Sequence, residues 1–88
     1  MTYRILYTRT ARRGLSGLLP EAAAAACVEF IRSVLATTPH RAGQPLRPPL
    51  EGLHSARRGD FRVIYRIDDD EVVVLVITVQ HRRDVYRT

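Results

Sequence analysis

Polar and apolar residues alternate with a strand period at both ends of this chain, and a helical period lies between. Met1 to Thr8 alternates, and Tyr3-Arg4-Ile5-Leu6-Tyr7-Thr8 is rich in β-formers, which predicts a first strand. Thr10 is placed to cap a short helix through Leu18, with Gly14 and Gly17 weakening that helix and helping to end it. Pro20 suits the first position of a second helix, and Glu21 suits the positive end of its dipole. This helix is expected to reach Ala36, with Ala24, Cys27, Val28, Ile31, Val34 and Leu35 following the i, i+3, i+4 pattern of one buried face. From Thr37 to Gly52 the prolines at 39, 45, 48 and 49, together with Gly43, rule out regular helix and predict an ordered, extended connection.

The last third reads as a meander of three strands, Leu53 to Arg58, 60 to 67 and 71 to 79, with a turn at Asp68-Asp69-Asp70. In the middle strand Phe61, Val63, Tyr65 and Ile67 share one face, and Arg62, Ile64 and Arg66 share the other. The predicted order is β-α-α-β-β-β. It describes an α+β fold in which two N-terminal helices pack on one face of a small, mostly antiparallel four-stranded sheet. The first strand joins the sheet edge, and the other face is left free. Eighty-eight residues leave room for one domain, 1–88, with a modest core.

Charge changes the picture. The formal net charge is +5, and all fourteen basic residues are arginine. Guanidinium suits planar, bidentate contact with phosphate, so an anionic partner such as nucleic acid is the first class to consider. A compositional bias that enriches Ala and Arg together accounts for single arginines equally well, so the functional reading rests on places where several converge. Cys27 lies in the Ala-rich helix and reads as a small packed hydrophobe, which fits a reducing, cytoplasmic setting. No signal-peptide pattern opens the chain, and Val72 to Ile77 is too short an apolar run to cross a bilayer. The carboxylates Asp68 to Glu71 read as solvated turn residues, with no His or Asp spacing that would complete a metal cage.

Three blocks then resemble a known family. They are Pro39 to Leu46 leading into Leu50-Glu51-Gly52-Leu53, then Arg57-Arg58-Gly59-Asp60-Phe61-Arg62-Val63-Ile64-Tyr65, and finally His81-Arg82-Arg83-Asp84-Val85-Tyr86. In this order and spacing they resemble the RelE branch of the bacterial RelE/ParE toxin superfamily, over nearly the whole chain. The resemblance implies a toxin of a type II toxin-antitoxin system. Such toxins cleave messenger RNA in the ribosomal A site, without metal or cofactor, by driving the ribose 2′-OH onto the adjacent phosphate. It also implies a cognate antitoxin, RelB-like and acidic, and operator DNA bound by the pair.

By position in these motifs, Arg62 corresponds to the phosphate-binding arginine and Arg82 to the arginine that meets the leaving group. Tyr86 corresponds to the tyrosine near the reacting nucleotide, and Arg57 to one of two alternating basic residues. The other of those two positions is Ser55, so one expected charge is missing. His81 is the leading candidate for proton transfer, because imidazole titrates near neutrality and the residue adjoins Arg82. His54 has the wrong parity to join Ser55 and Arg57, and His40 has no motif partner. Arg58, Arg66 and Arg83 complete the candidate phosphate contacts. Two other readings stay open: a ParE-like protein that poisons DNA gyrase, and an attenuated domain that docks its antitoxin without cutting RNA.

Overall fold

The computed structural model describes residues 2–81. Five strands and three helices follow one another as β1 (Arg4–Tyr7), α1 (Arg9–Arg13), α2 (Glu21–Phe30), α3 (Pro39–Ala42), β2 (Gln44–Pro45), β3 (His54–Arg58), β4 (Phe61–Asp68) and β5 (Val73–His81). The sheet order is β1-β5-β4-β3-β2, with β1 parallel to β5 and every other pair antiparallel. The α+β class and the free sheet face agree with the sequence pattern. The strand count differs by one, because Gln44–Pro45 pairs with His54 and Ser55 as a two-residue edge.

The helix ends are set by local chemistry. Thr8, not Thr10, caps α1: its hydroxyl oxygen accepts from Ala11 N at 3.1 Å and donates to Ile77 O at 2.5 Å. Both long helices widen at their C-terminal ends into turns closed five residues apart, Leu19 N to Gly14 O at 3.0 Å and Ala36 N to Ile31 O at 2.9 Å. The connection after α2 is not wholly extended as its prolines predict. Pro39 stands at the first position of the one-turn helix α3, where its missing N–H costs nothing.

The core lies between the helices and one sheet face. Cys27, Ile31 and Leu35 from α2 and its extension are fully buried with Val63, Tyr65, Val74 and Val76. Burying an aliphatic side chain of this kind contributes about 1.5–3 kcal/mol. The Cys27 thiol is pushed up to about 12 by burial, in keeping with a packed hydrophobe. Tyr65 keeps a polar handle inside the core, its hydroxyl donating to Pro39 O at 2.7 Å. Gly43 makes that close approach possible, since a β-carbon there would lie 2.7 Å from the Tyr65 oxygen and closer still to Ser55 O.

One irregularity governs which residues reach the free face. Ile64 pairs with Thr78, but Tyr65 pairs with Val76, so Ile77 is an extra residue on β5. The bulge restarts the alternation: Val76 and Val79 are both buried, while Ile77 and Thr78 between them are both half-exposed.

Candidate nucleic-acid interface

Antiparallel partners in a sheet point their side chains to the same face, with β-carbons about 4.5–5.5 Å apart. Arg57 on β3 is the partner of Arg62 on β4, and Arg62 is the partner of Gln80 on β5. Arg57, Arg62 and Gln80 therefore form one row across the free face. The neighbouring row is Gln44, Ser55, Ile64 and Thr78. Like charges directly opposite each other on a sheet are destabilising by roughly 0.2–1 kcal/mol. The sole ion pair among the described residues is His40 with Asp69, so among those residues no carboxylate pairs with Arg57 or Arg62. Arg57, exposed, and Arg62, half-exposed, bring two guanidinium-bearing side chains to one stretch of the face, a chemistry that suits a phosphate's planar, bidentate hydrogen bonding.

The other sequence candidates separate. Arg66 shares the free face and is exposed, but it sits four residues along β4 from Arg62, roughly 13 Å away. Arg58 does not join the row of Arg57 and Arg62. It opposes Phe61 on the helix-facing side, and its guanidinium lies 5.1 Å from the centre of the Phe30 ring. His81 also opposes Phe61, so the register turns it to the helix-facing side, away from Arg57 and Arg62. Arg82, Arg83 and Tyr86 lie outside the described residues. Gln80 was missed by motif reasoning, because a regular β4–β5 ladder would put Val79 opposite Arg62. The clue was in the pattern: without a bulge, the phase that buries Val74 and Val76 would also bury Thr78 and Gln80.

The remaining histidines form a separate group. His54 opposes Tyr65 and stacks on it, ring centroids 5.5 Å apart, so its parity turns it away from Arg57 as the sequence predicts. His40 meets the His54 ring edge-on at 6.0 Å, and its Nε2 lies 3.0 Å from both oxygens of Asp69. Asp69 also accepts from the Tyr3 hydroxyl at 2.5 Å, and these two hydrogen bonds hold its carboxyl below the usual range. Burial, then the nearby His40, lowers His54, whose Nδ1 is buried without a partner. Among the described residues no group of three His, Cys, Asp or Glu is placed to hold a metal ion. No helix among them is long and apolar enough to cross a membrane.

Comparison with known proteins accords with this geometry. A family model described as the ParE toxin of the type II toxin-antitoxin system matches residues 5–86. Toxin RelE of Mycobacterium tuberculosis is 54% identical over 85 residues, covering 97% of this chain and 87% of the relative. Toxin RelG of the same organism is 48% identical over 87 residues, covering 99% of each. Among solved structures, the M. tuberculosis toxin-antitoxin complex RelBE2 contains a chain 46% identical, with a TM-score of 0.90 over 96% of this chain and 95% of that one. The isolated Escherichia coli RelE toxin, 20% identical with a TM-score of 0.72 over 90% of this chain and 83% of that one, shares the fold. A toxin motif set in order, an α+β fold shared with RelE structures and full-length relatives near half identity place the chain in the RelE branch of the RelE/ParE family of type II toxin-antitoxin toxins.

Proposed function

We propose that this toxin is a metal-independent endoribonuclease that cleaves messenger RNA in the ribosomal A site and so stops translation in the cytoplasm. The observation that carries the reading is the cross-strand pair Arg57 and Arg62, with no counter-charge among the described residues. In-line cleavage develops negative charge on the phosphoryl oxygens as the 2′-OH attacks. Fixed guanidiniums facing that charge stabilise it, and removing one such donor typically costs about 10²–10³ in rate. Arg62 and Arg57 hold the scissile phosphate, with Arg66 and Arg83 as outer contacts to RNA. Arg82 meets the departing 5′ oxygen, and Tyr86 stacks on an unpaired base.

Arginine is a poor general base, with a pKa above about 12, but it can protonate a strongly basic alkoxide. His81 faces away from the phosphate pair, so this reading does not give it the proton. A single-turnover rate with no inflection between about pH 6 and 7 is expected; an inflection that disappears in His81→Gln would restore the imidazole to the mechanism.

The partner that restrains such a toxin is an antitoxin, as in the RelBE complexes of similar fold. The free face has the chemistry for one. Next to the arginine row lies half-exposed Ile64, and further along the same face half-exposed Leu75 and Leu6, 45% exposed, line up with Arg66. An acidic peptide with apolar residues covers both halves, and the pair then presents itself to operator DNA.

Primer extension on a defined messenger RNA, with and without programmed ribosomes, tests the activity. Ribosome-dependent cuts at A-site codons, abolished in folded Arg62→Ala and Arg82→Ala, are expected. Cuts that persist in both variants would refute the assignment of these arginines. An absence of cuts by folded wild type moves the test to gyrase supercoiling, which the ParE description of the family model brings in as the second reading.

A further inference from the structure

A cleft of about 450 Å³ opens between α2 and the β3–β4 hairpin, on the side of the sheet away from the arginine row. Its helix wall is small and apolar, with Ala22 and Ala26 one turn apart. Its sheet wall brings together Arg58, Asp60, Phe61 and His81. Phe61 is 5% exposed and forms an apolar floor, and Arg58 is braced over Phe30. The hairpin ends at Gly59-Asp60, where Gly59 adopts φ +57 and turns the chain tightly. Arg57 and Arg62 are the last pair on the free face before that turn, and Arg58 with Phe61 is the closing pair on the cleft side. The phosphate site and the cleft are thus the two sides of one hairpin end.

We infer that this cleft takes an unpaired nucleobase of the RNA whose phosphate Arg57 and Arg62 hold, with the strand passing over the hairpin tip; the inference rests on the endoribonuclease reading. A nucleobase has a flat face for the alanine and Phe61 walls and an edge that both donates and accepts. Arg58 supplies donors, and Asp60 accepts from an exocyclic amine, which favours adenine, guanine or cytosine over uracil. The Asp60 carboxylate counts against an acidic peptide in the same place, since like charges repel there. Volumes of this size are usual for small-ligand pockets, about 300–1,000 Å³.

The test is cleavage on programmed ribosomes of messenger RNAs that differ only in the nucleotide flanking the cut. The proteins compared are wild type, Ala26→Leu and Ala22→Leu. Both alanines are exposed helix positions, so leucine fills the cleft without disturbing the core. Base stacking on a protein platform is worth roughly 5- to 150-fold in binding. Wild type is expected to favour amino-bearing bases over uracil, and each leucine variant to raise KM about tenfold and flatten that preference with melting temperature and kcat retained. Asp60→Asn is expected to weaken the preference alone. Wild-type KM and preference in both folded leucine variants would overturn the inference. So would loss of antitoxin binding or of self-association in their place, which would assign the cleft to a protein. If Arg62→Ala cleaves like wild type, the phosphate reading itself fails, an outcome distinct from failure of the cleft.

Discussion

Gly43→Ala is the sharpest structural perturbation available. A β-carbon at residue 43 would press into the backbone oxygen of Ser55 and lie 2.7 Å from the Tyr65 hydroxyl oxygen. Neither neighbour is a flexible side-chain end: one is the β3 backbone and the other a fully buried phenol. Overpacking of this kind costs about 1–3 kcal/mol. If the phenol is pushed off Pro39 O, its 2.7 Å hydrogen bond is lost and a buried donor is left unpaired, for about 1–3 kcal/mol more. The expected total is about 2–6 kcal/mol, a large share of the roughly 4–13 kcal/mol that a chain of this length has. It should appear as a fall in melting temperature of about 10 °C or more and a lower urea midpoint. Tyr65→Phe removes one of the two clashing atoms, so the double variant should be less destabilised than the sum of the singles by about 1 kcal/mol. A change below about 0.5 kcal/mol for Gly43→Ala, or strict additivity, would refute the close packing of the α3–β2 corner on Tyr65.

The histidine cluster and the arginine row each carry a measurable consequence. Burial lowers His54 in the folded state, so the unfolded chain binds this proton first; stability is full above pH 6.5 and falls as the pH drops below it, until the folded form protonates as well. The groups that face His54 are His40 from α3 and Tyr65 from β4, with Asp69 and Tyr3 beyond His40. Urea midpoints between about pH 7.5 and 5 should show a slope no steeper than about 1.4 kcal/mol per pH unit, and His54→Gln should flatten it. Asp69 contributes in a separate window below its ordinary 3.8, again losing stability as the pH falls. Arg57→Thr removes the like-charge neighbour of Arg62, so at low salt the variant should be more stable than wild type by up to about 1 kcal/mol while RNA cleavage falls; a less stable variant would show that the pair is not repulsive.

The helix-facing half of this fold was legible because burial imposes a period. Phe61, Val63 and Tyr65 alternate and are buried as the pattern requires, and Ile31 and Leu35 fall on the predicted helix stripe. Four features were not legible. The cap moved from Thr10 to Thr8 because Thr8 gains a tertiary bond to Ile77 O that no local rule contains. The helix α3 was hidden by reading Pro39 as a breaker, when its carbonyl is anchored by Tyr65 from 26 residues away. The strand Gln44–Pro45 pairs with Ser55 and His54 directly after Gly43, which packs on the same phenol, a contact no local rule contains. Arg58 looked like Arg57 by composition, and only the β3–β4 register separates them to opposite faces.

The β5 bulge has the greatest consequence for the site. Val74 and Val76 set one phase of burial, and Val79 belongs to the other. A regular strand would have satisfied the first two by burying Gln80 and turning Val79 outward beside Arg62. The extra residue Ile77 buries all three valines and brings a carboxamide into the row with two guanidiniums. The same shift carries His81 to the far side, which separates the imidazole from Arg57 and Arg62 and adds it to the cleft wall. Packing on the helix side therefore decides the composition of the site on the free side. Deleting Ile77 should therefore leave Tyr65 opposite Val76, Ile64 opposite Thr78 and Arg62 opposite Gln80 in one regular ladder, so the row survives loss of the extra residue, whereas straightening the strand with Ile77 retained would put Val79 opposite Arg62.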